Sequence, residues 1–203
     1  MNGSGTAGLA LWYGQGAPAR NNDARYIVNA PINLASTGSF ATRLGNDGTI
    51  ANYTIVTTLG SADSNNDGSL QGIRGDLAGN YVLGADINAS ATNLWSGGFT
   101  PIGGNDDSTR RYAGIFDGLG HAIHNLNINR PSTRYVGLFG ATGSNAIVRN
   151  VGIQGGMVTG NTYVGGLVGV NGGTIADSFS DRAGAIDEIV GGLVGFNNGS
   201  ISR

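Results

Sequence analysis

The sequence predicts an all-β chain folded as a parallel β-helix, a solenoid in which short strands stack coil upon coil. Three observations predict it: a repeated glycine-leucine motif, abundant glycine and few good helix formers. The 203 residues include 38 glycines, and only 12% are charged. Glycine inside a helix costs about 1 kcal/mol relative to alanine. Lysine is absent and Glu188 is the only glutamate. The β-branched residues that remain among turn formers favour strands.

The clearest repeat lies near the C-terminus. Residues 164–175, Val-Gly-Gly-Leu-Val-Gly-Val-Asn-Gly-Gly-Thr-Ile, recur 26 residues later at 190–201 with nine of the twelve positions identical. Residues 135–140 and 112–118 are looser copies. A unit of about 25 residues without room for a helix is typical of one solenoid coil. We therefore expect Leu138, Leu167 and Leu193 to lie above one another in an inward-facing column.

A second short strand is predicted after each copy of the motif. We align residues 123–128 with 148–153 and then with 175–179. This alignment places Asn125, Asn150 and Asp177 at equivalent positions. It predicts a stacked ladder of polar side chains at a turn, because stacked amides satisfy one another's donors and acceptors.

The pattern weakens towards the N-terminus but does not end. Residues 26–29, 53–56 and 81–87 are predicted strands, with turn signals between them. Residues 61–79 and 96–111 are predicted loops that leave the coil. We expect one domain over 1–203 with about seven coils of about 25 residues. The coils are irregular over 1–111 and repetitive over 112–203. Because residue 203 falls inside a repeat, we expect a fragment of a longer protein.

Composition argues against several classes of partner and compartment. The net charge is −2, and the eleven arginines are dispersed, which argues against nucleic acid as a partner. Without cysteine the chain has neither disulfides nor a cysteine metal site. No segment approaches the ~20 apolar residues of a membrane span. Residues 9–13 are too short an apolar run for a signal peptide.

The repeated Val-Gly-Gly-Leu-Val-Gly-x-Asn-x-Gly-x-Ile motif resembles the GLUG motif of bacterial surface proteins, some of which are IgA-cleaving proteases. Residues 80–88, 99–103, 116–121, 128–131, 135–140 and 149–152 resemble large exoproteins of the filamentous-haemagglutinin type. The similarity spans about residues 26–203. The N-terminal secretion domain and the C-terminal toxin or anchor of such proteins are not visible in this sequence.

The resemblance implies a right-handed β-helix that is secreted or displayed on the bacterial surface. It implies export by two-partner secretion through an outer-membrane pore partner. It also implies adhesion, in which the full-length protein binds glycans or proteins of a host cell or another surface.

One loop carries a possible calcium site. Asp63, Asn65 and Asp67 followed by Gly68 reproduce the first half of an EF-hand loop. The closing bidentate glutamate is missing, and Arg74 stands in its place. A polar turn rich in Asx residues explains the pattern about as well. No other cofactor is predicted.

The sequence offers no recognisable catalytic site. Asp106 and Asp107 are the only candidates for a carbohydrate-active β-helix enzyme, but adjacent side chains in a loop diverge, and acid–base catalysis needs convergent carboxylates. His121 and His124 are the only histidines. At positions three apart on a strand they should face opposite sides. We therefore expect no enzyme.

A tyrosine recurs in register with the motif, at Tyr112, Tyr135 and Tyr163, and Ile189 follows at the next repeat. We interpret these residues as an aromatic column that stabilises the stack. The alternative is a stripe on which sugar rings pack. The sequence thus predicts a rigid adhesin shaft, with a polysaccharide lyase or hydrolase and a direct glycan-binding module as alternatives.

Overall fold

The computed structural model describes residues 7–104, 107, 109–181 and 189–203. These residues form a β-solenoid of about six turns built from parallel sheets. The predicted fold class is therefore confirmed, with about one turn fewer than expected. Short strands rich in valine and isoleucine alternate with corners formed by glycine and asparagine. No segment shows the hydrophobic periodicity of an amphipathic helix, which is consistent with short strands.

Each regular coil contributes one strand to each of four walls over the described part of the chain. The first wall contains, in order, β1 (Gly8–Tyr13), β2 (Ser39–Leu44), β3 (Ala51–Val56), β4 (Tyr81–Leu83), β6 (Ile115–Asp117), β10 (Ile147–Arg149), β14 (Thr174–Ala176) and β18 (Ser200–Ser202). The second contains β5 (Ile87–Asn88), β7 (Ala122–Asn129), β11 (Gly152–Thr159) and β15 (Phe179–Ser180).

The two remaining walls have three strands each. The third contains β8 (Tyr135–Val136), β12 (Tyr163–Gly165) and β16 (Ile189–Gly191), and the fourth contains β9 (Phe139–Ala141), β13 (Val168–Asn171) and β17 (Val194–Asn197). Two 3₁₀ helices, Gln71–Gly75 and Ser90–Leu94, lie in the connections.

The core is a set of aliphatic columns that run along the solenoid axis. Leu138 and Leu167 are fully buried, and Leu193 packs against them from the next coil. The Phe139 amide donates to the Leu167 carbonyl at 2.9 Å, and the Leu167 amide donates to the Leu193 carbonyl at 3.0 Å. The predicted leucine column is confirmed.

The glycines of the motif are required by close backbone approach. A Cβ on Gly165 would lie 2.2 Å from the Val168 carbonyl oxygen, across the corner between β12 and β13. A Cβ on Gly169 would lie 2.6 Å from the Gly140 carbonyl oxygen in the preceding coil. Neither position has room for a side chain, so the motif keeps glycine at both.

The predicted alignment of the second strand is confirmed for Val148 and Ile175, which pair between β10 and β14, but it is wrong for residues 123–128. Ile123 pairs with Ile153, 30 residues on, and Val148 pairs with Phe116 of the first wall. Asn125 therefore lies inside β7, opposite the Gly155 region, and is not equivalent to Asn150. The coil between residues 117 and 147 is longer than the later coils. The alignment assumed coils of equal length and therefore missed this difference.

The predicted ladder of Asn125, Asn150 and Asp177 does not form. Asn150 and Asp177 are corner residues with φ of 53° and 47°, a left-handed conformation that asparagine and aspartate tolerate best after glycine. Their shared role is to turn the chain between the first and second walls.

A polar ladder does form on the fourth wall, at the asparagine of the repeat motif. The Thr142 hydroxyl donates to Asn171 Oδ1 at 2.8 Å, and Asn171 Nδ2 donates to Asn197 Oδ1 at 2.7 Å. Asn171 is fully buried, and its Oδ1 also accepts from the Gly173 amide at 3.1 Å. Three successive coils are thus joined through one buried amide.

The N-terminal region departs from the predicted coils. Strand β3 is confirmed at residues 51–56, but β2 pairs with it antiparallel. Residues 26–29 form no strand. Residues 26–34, here called the strap, run in extended form across the coils. The Leu34 amide donates to the Gly84 carbonyl, and the Ile32 amide donates to the Leu119 carbonyl, at 3.0 and 3.1 Å. The alternating pattern of residues 26–29, which predicted a coil strand, arises because one side of the strap is buried.

We expect Asn171→Ala to lower the free energy of unfolding by about 1–3 kcal/mol, because it leaves buried ladder partners unsatisfied. Urea denaturation followed by circular dichroism measures the change. The matched control is Asn145→Ala, at an exposed loop position, which should change stability by less than about 0.5 kcal/mol. Equal effects of the two substitutions would contradict the ladder.

Candidate functional site

Described residues of the two predicted excursions, 61–79 and 96–111, lie beside each other and enclose a polar cleft of about 450 Å³. This volume lies within the ~300–1,000 Å³ of small-molecule sites. Ile102 returns to the solenoid wall and bridges Phe139, which anchors the second excursion. The cleft is lined by Asp63, Asn65, Arg74, Leu77, Thr100, Pro101, Gly103, Gly104, Asp107 and Arg110.

The cleft walls are held together through Thr100. The fully buried Gln71 donates from Nε2 to the Thr100 carbonyl at 3.0 Å and accepts from the Thr100 amide at 2.9 Å. Arg130 donates to the Thr100 hydroxyl at 2.8 Å and to the Phe99 carbonyl at 3.2 Å. Two side chains from different parts of the chain thus fix one residue, so the cleft is preformed.

The three calcium candidates are divided between the cleft lining and a turn. Asp63 and Asn65 line the cleft. The Asp67 carboxylate instead accepts from the amide and the hydroxyl of Ser69, at 3.0 and 2.5 Å. Hydrogen bonds from Ser64 and Ser69 lower the pKa of Asp67. The described residues hold no group of three or more His, Cys, Asp or Glu side chains that could bind a metal.

Of the two candidate catalytic carboxylates, Asp106 lies outside the described residues and Asp107 lines the cleft. Asp107 Oδ1 accepts from the Thr109 hydroxyl at 2.6 Å and from the Thr109 amide at 2.8 Å. These hydrogen bonds lower the pKa of Asp107, and the nearby Arg110 charge adds to the effect. Such a carboxylate is suited to accept hydrogen bonds, whereas a general acid needs a raised pKa.

The aromatic column forms at two of its three predicted tyrosines. Tyr135 pairs with Tyr163, and Tyr163 pairs with Ile189, along the third wall. The two rings stack with centroids 5.6 Å apart and planes 13° apart. Phe196 continues the contact at 5.5 Å from Tyr163. Both tyrosines are half-buried, so the column contributes to packing and also presents ring surface to solvent.

Tyr112 does not belong to this column. It is fully buried, and its ring lies 4.9 Å from Phe139 in the core. Its backbone bridges Thr142, and its hydroxyl donates to the Gly79 carbonyl at 3.0 Å. Burial also raises the pKa of the phenol. The assignment of Tyr112 to a ligand-binding stripe is therefore wrong, because its ring is buried in the core and presents no surface to a ligand.

A buried charged network holds the strap to the solenoid. Asp117 has no exposed surface, and its Oδ2 accepts from Arg149 Nε at 2.8 Å. The Tyr26 hydroxyl of the strap donates to Asp117 and accepts from Arg149. Asn150 completes the shell with a 2.9 Å hydrogen bond to Asp117 Oδ1. Removing either charge would leave the other buried without its partner, which is costly.

Both histidines approach the same carboxylate, contrary to the sequence interpretation. His121 Nδ1 lies 3.1 Å from Asp86 Oδ1, and His124 Nε2 lies 3.9 Å from Oδ2. The other nitrogen of the buried His121 lies 3.0 Å from the Ile32 carbonyl of the strap. His121 precedes β7, so strand alternation does not separate the rings.

No sequence motif points to Gln71 or Arg130, whereas Arg74 occupies the last position of the EF-hand-like loop and Arg110 follows the Asp106–Asp107 pair. The only available signal was the position of the two excursions one coil apart, which brings loops of a solenoid together on one side.

Among the described residues, neither of the two short 3₁₀ helices nor any other helix has the length and apolar character of a membrane span.

The fold and its sites define a β-solenoid protein with side loops. Halomucin of Haloquadratum walsbyi is 42% identical over 99 residues, which are 47% of this chain and 1% of that protein. A protein of Evansella cellulosilytica described as a Gly-rich membrane protein is 30% identical over 153 residues, 74% of this chain and 16% of that protein. The chain thus spans a small part of these relatives. No family model matches the chain, and no solved structure gives a significant match.

We expect Tyr135→Ala to lower the free energy of unfolding by at least the ~0.5–1.5 kcal/mol of a ring pair. Tyr135→Phe retains the ring and should retain most of the stability. Thermal melting followed by circular dichroism measures both. Unchanged stability of Tyr135→Ala together with lost glycan binding would make the column a ligand-binding stripe instead.

We expect Asp86 to make the fold sensitive to acid. The Ala122 amide and His121 hold the pKa of Asp86 below its ordinary value of 3.8. A lowered folded-state pKa gives stability that is fully present above the unfolded pKa and is lost as pH falls through the folded pKa. Urea midpoints between pH 7 and pH 3 should therefore fall more steeply for the unmodified chain than for Asp86→Asn. A constant difference across this range would contradict the assignment.

Proposed function

We propose that this chain is a rigid shaft of a bacterial surface protein of the adhesin type, which holds binding regions away from the cell and performs no catalysis. The observation that carries the proposal is the uninterrupted hydrogen bonding of the first wall from β3 to β18. Consecutive strands of this wall are hydrogen-bonded to each other, and one buried apolar cluster runs from Val56 in β3 to Ile175 in β14. Bending such a stack would break several backbone hydrogen bonds at once.

The sequence resemblance and one relative support a surface location. The GLUG-like motif resembles bacterial surface proteins, and the Evansella relative is described as a membrane protein. Two-partner secretion through an outer-membrane pore and adhesion to surface glycans or proteins belong to the same proposal. The absence of cysteine suits a chain that stays unfolded during export, since no disulfide can form early.

Rigidity is tested by a distance measurement between two spin labels. The chain has no cysteine, so Asn52→Cys on β3 and Ser200→Cys on β18 can be labelled without background. Five inter-strand steps of ~4.8 Å separate these strands, about 24 Å along the axis. We expect one narrow distance distribution in electron double resonance. A broad distribution would refute a rigid shaft.

The display role is tested on cells. The chain is placed between a membrane anchor and a reporter binding domain, and capture of reporter ligand on large beads is counted. The control replaces the chain with a flexible Gly/Ser linker of the same length. We expect more bead capture with the solenoid, because the linker collapses towards the surface. Equal capture would overturn the display role.

A further inference from the structure

We propose that the cleft between residues 61–79 and 96–111 is a binding site for an acidic saccharide, a sugar that carries a carboxylate as well as hydroxyl groups. The cleft is lined by groups of opposite chemistry. Arg74 and Arg110 offer guanidinium donors, and Asp63 and Asp107 offer carboxylate acceptors. Guanidinium binds carboxylate in a bidentate manner, and carboxylates accept from sugar hydroxyls.

A third arginine contacts the cleft lining without being part of it. Arg130 donates to the hydroxyl of Thr100, a lining residue. Burial lowers the pKa of Arg130, and the positive charge of Arg74 lowers it further. The guanidinium groups that line the cleft belong to Arg74 and Arg110. A bound carboxylate would pair with them, whereas a neutral sugar would not.

Other groups in the cleft lining are suited to hydroxyl groups. Asp107 is kept ionised by the amide and hydroxyl of Thr109. Asn65 supplies an amide that both donates and accepts. Leu77 and Pro101 provide apolar surface for the carbon face of a ring. A ligand with one anionic group and several hydroxyls satisfies all three surfaces, and a plain anion satisfies only the arginines.

The site is preformed, which favours binding by a rigid cyclic ligand. Gln71 and Arg130 hold Thr100 from two directions. Arg74 donates from Nε to the Ser64 carbonyl at 2.8 Å, which fixes its guanidinium plane across the first excursion. Because Thr100 and Arg74 are held by these hydrogen bonds before binding, less conformational entropy is lost on association.

The test uses the full chain and isothermal titration with trigalacturonate, with its methyl ester as the uncharged probe of the same ring structure. We expect saturable binding of the acid, and at least tenfold weaker binding of the ester. Arg110→Ala alone, at an exposed residue, and Arg74→Ala with Arg110→Ala should each weaken acid binding at least tenfold. The control with the same change of charge is Arg20→Ala with Arg25→Ala, at two exposed arginines outside the cleft lining.

Thermal melting of each variant separates loss of binding from loss of folding, and Arg110→Ala should melt like the unmodified chain. Amide shifts of Gly103 and Gly104 on titration provide a second measurement in the unmodified chain. No binding of trigalacturonate, equal binding of the ester, or equal weakening by the Arg20/Arg25 control would overturn the proposal. Equally tight binding of dextran sulfate would also overturn it, because the cleft would then respond to charge alone. The shaft proposal depends on distances and is unaffected by these outcomes.

Discussion

The structure depends on one constraint: the backbone of each coil finds its hydrogen-bond partners in the coils above and below. A coil of short strands cannot satisfy its own amides or bury its own apolar side chains. Stacking solves both problems together. The hydrogen bond from the Phe139 amide to the Leu167 carbonyl joins two coils, and the same stacking places the buried Leu138 and Leu167 side chains in one column. The same geometry demands glycine where coils approach most closely, as at Gly169. The repeat motif supplies the leucines and glycines that this constraint requires.

Stacking also accounts for the placement of polar groups. A buried amide such as Asn171 is tolerable because the stack supplies the partners Thr142, Gly173 and Asn197. The charged pair Asp117 and Arg149 occupies the corner where the strap crosses, and Tyr26 shields it from solvent. The interior is therefore uniform and apolar, while specific polar contacts join the irregular segments to it.

The candidate binding site is formed by the loops that leave the coil. The cleft lies where two excursions from the coils meet. Gln71 and Thr100 are 29 residues apart in sequence and joined by two hydrogen bonds. The regular walls thus act as a scaffold on which loops can be brought together.

The sequence by itself determined the parallel solenoid, the leucine column and the Tyr135–Tyr163 stack, because these follow from local repetition at a spacing of 26 to 29 residues. It misplaced Asn125 and Tyr112, because an irregular coil shifts the register and no residue in the motif records the shift. The strap was mistaken for a coil strand, since one-sided burial gives the same alternation in both. The cleft and the Asp86 cluster were decided by tertiary structure alone. Their residues come from loops and corners that lie outside the repeat motif, and only the stacking of different coils brings these residues together.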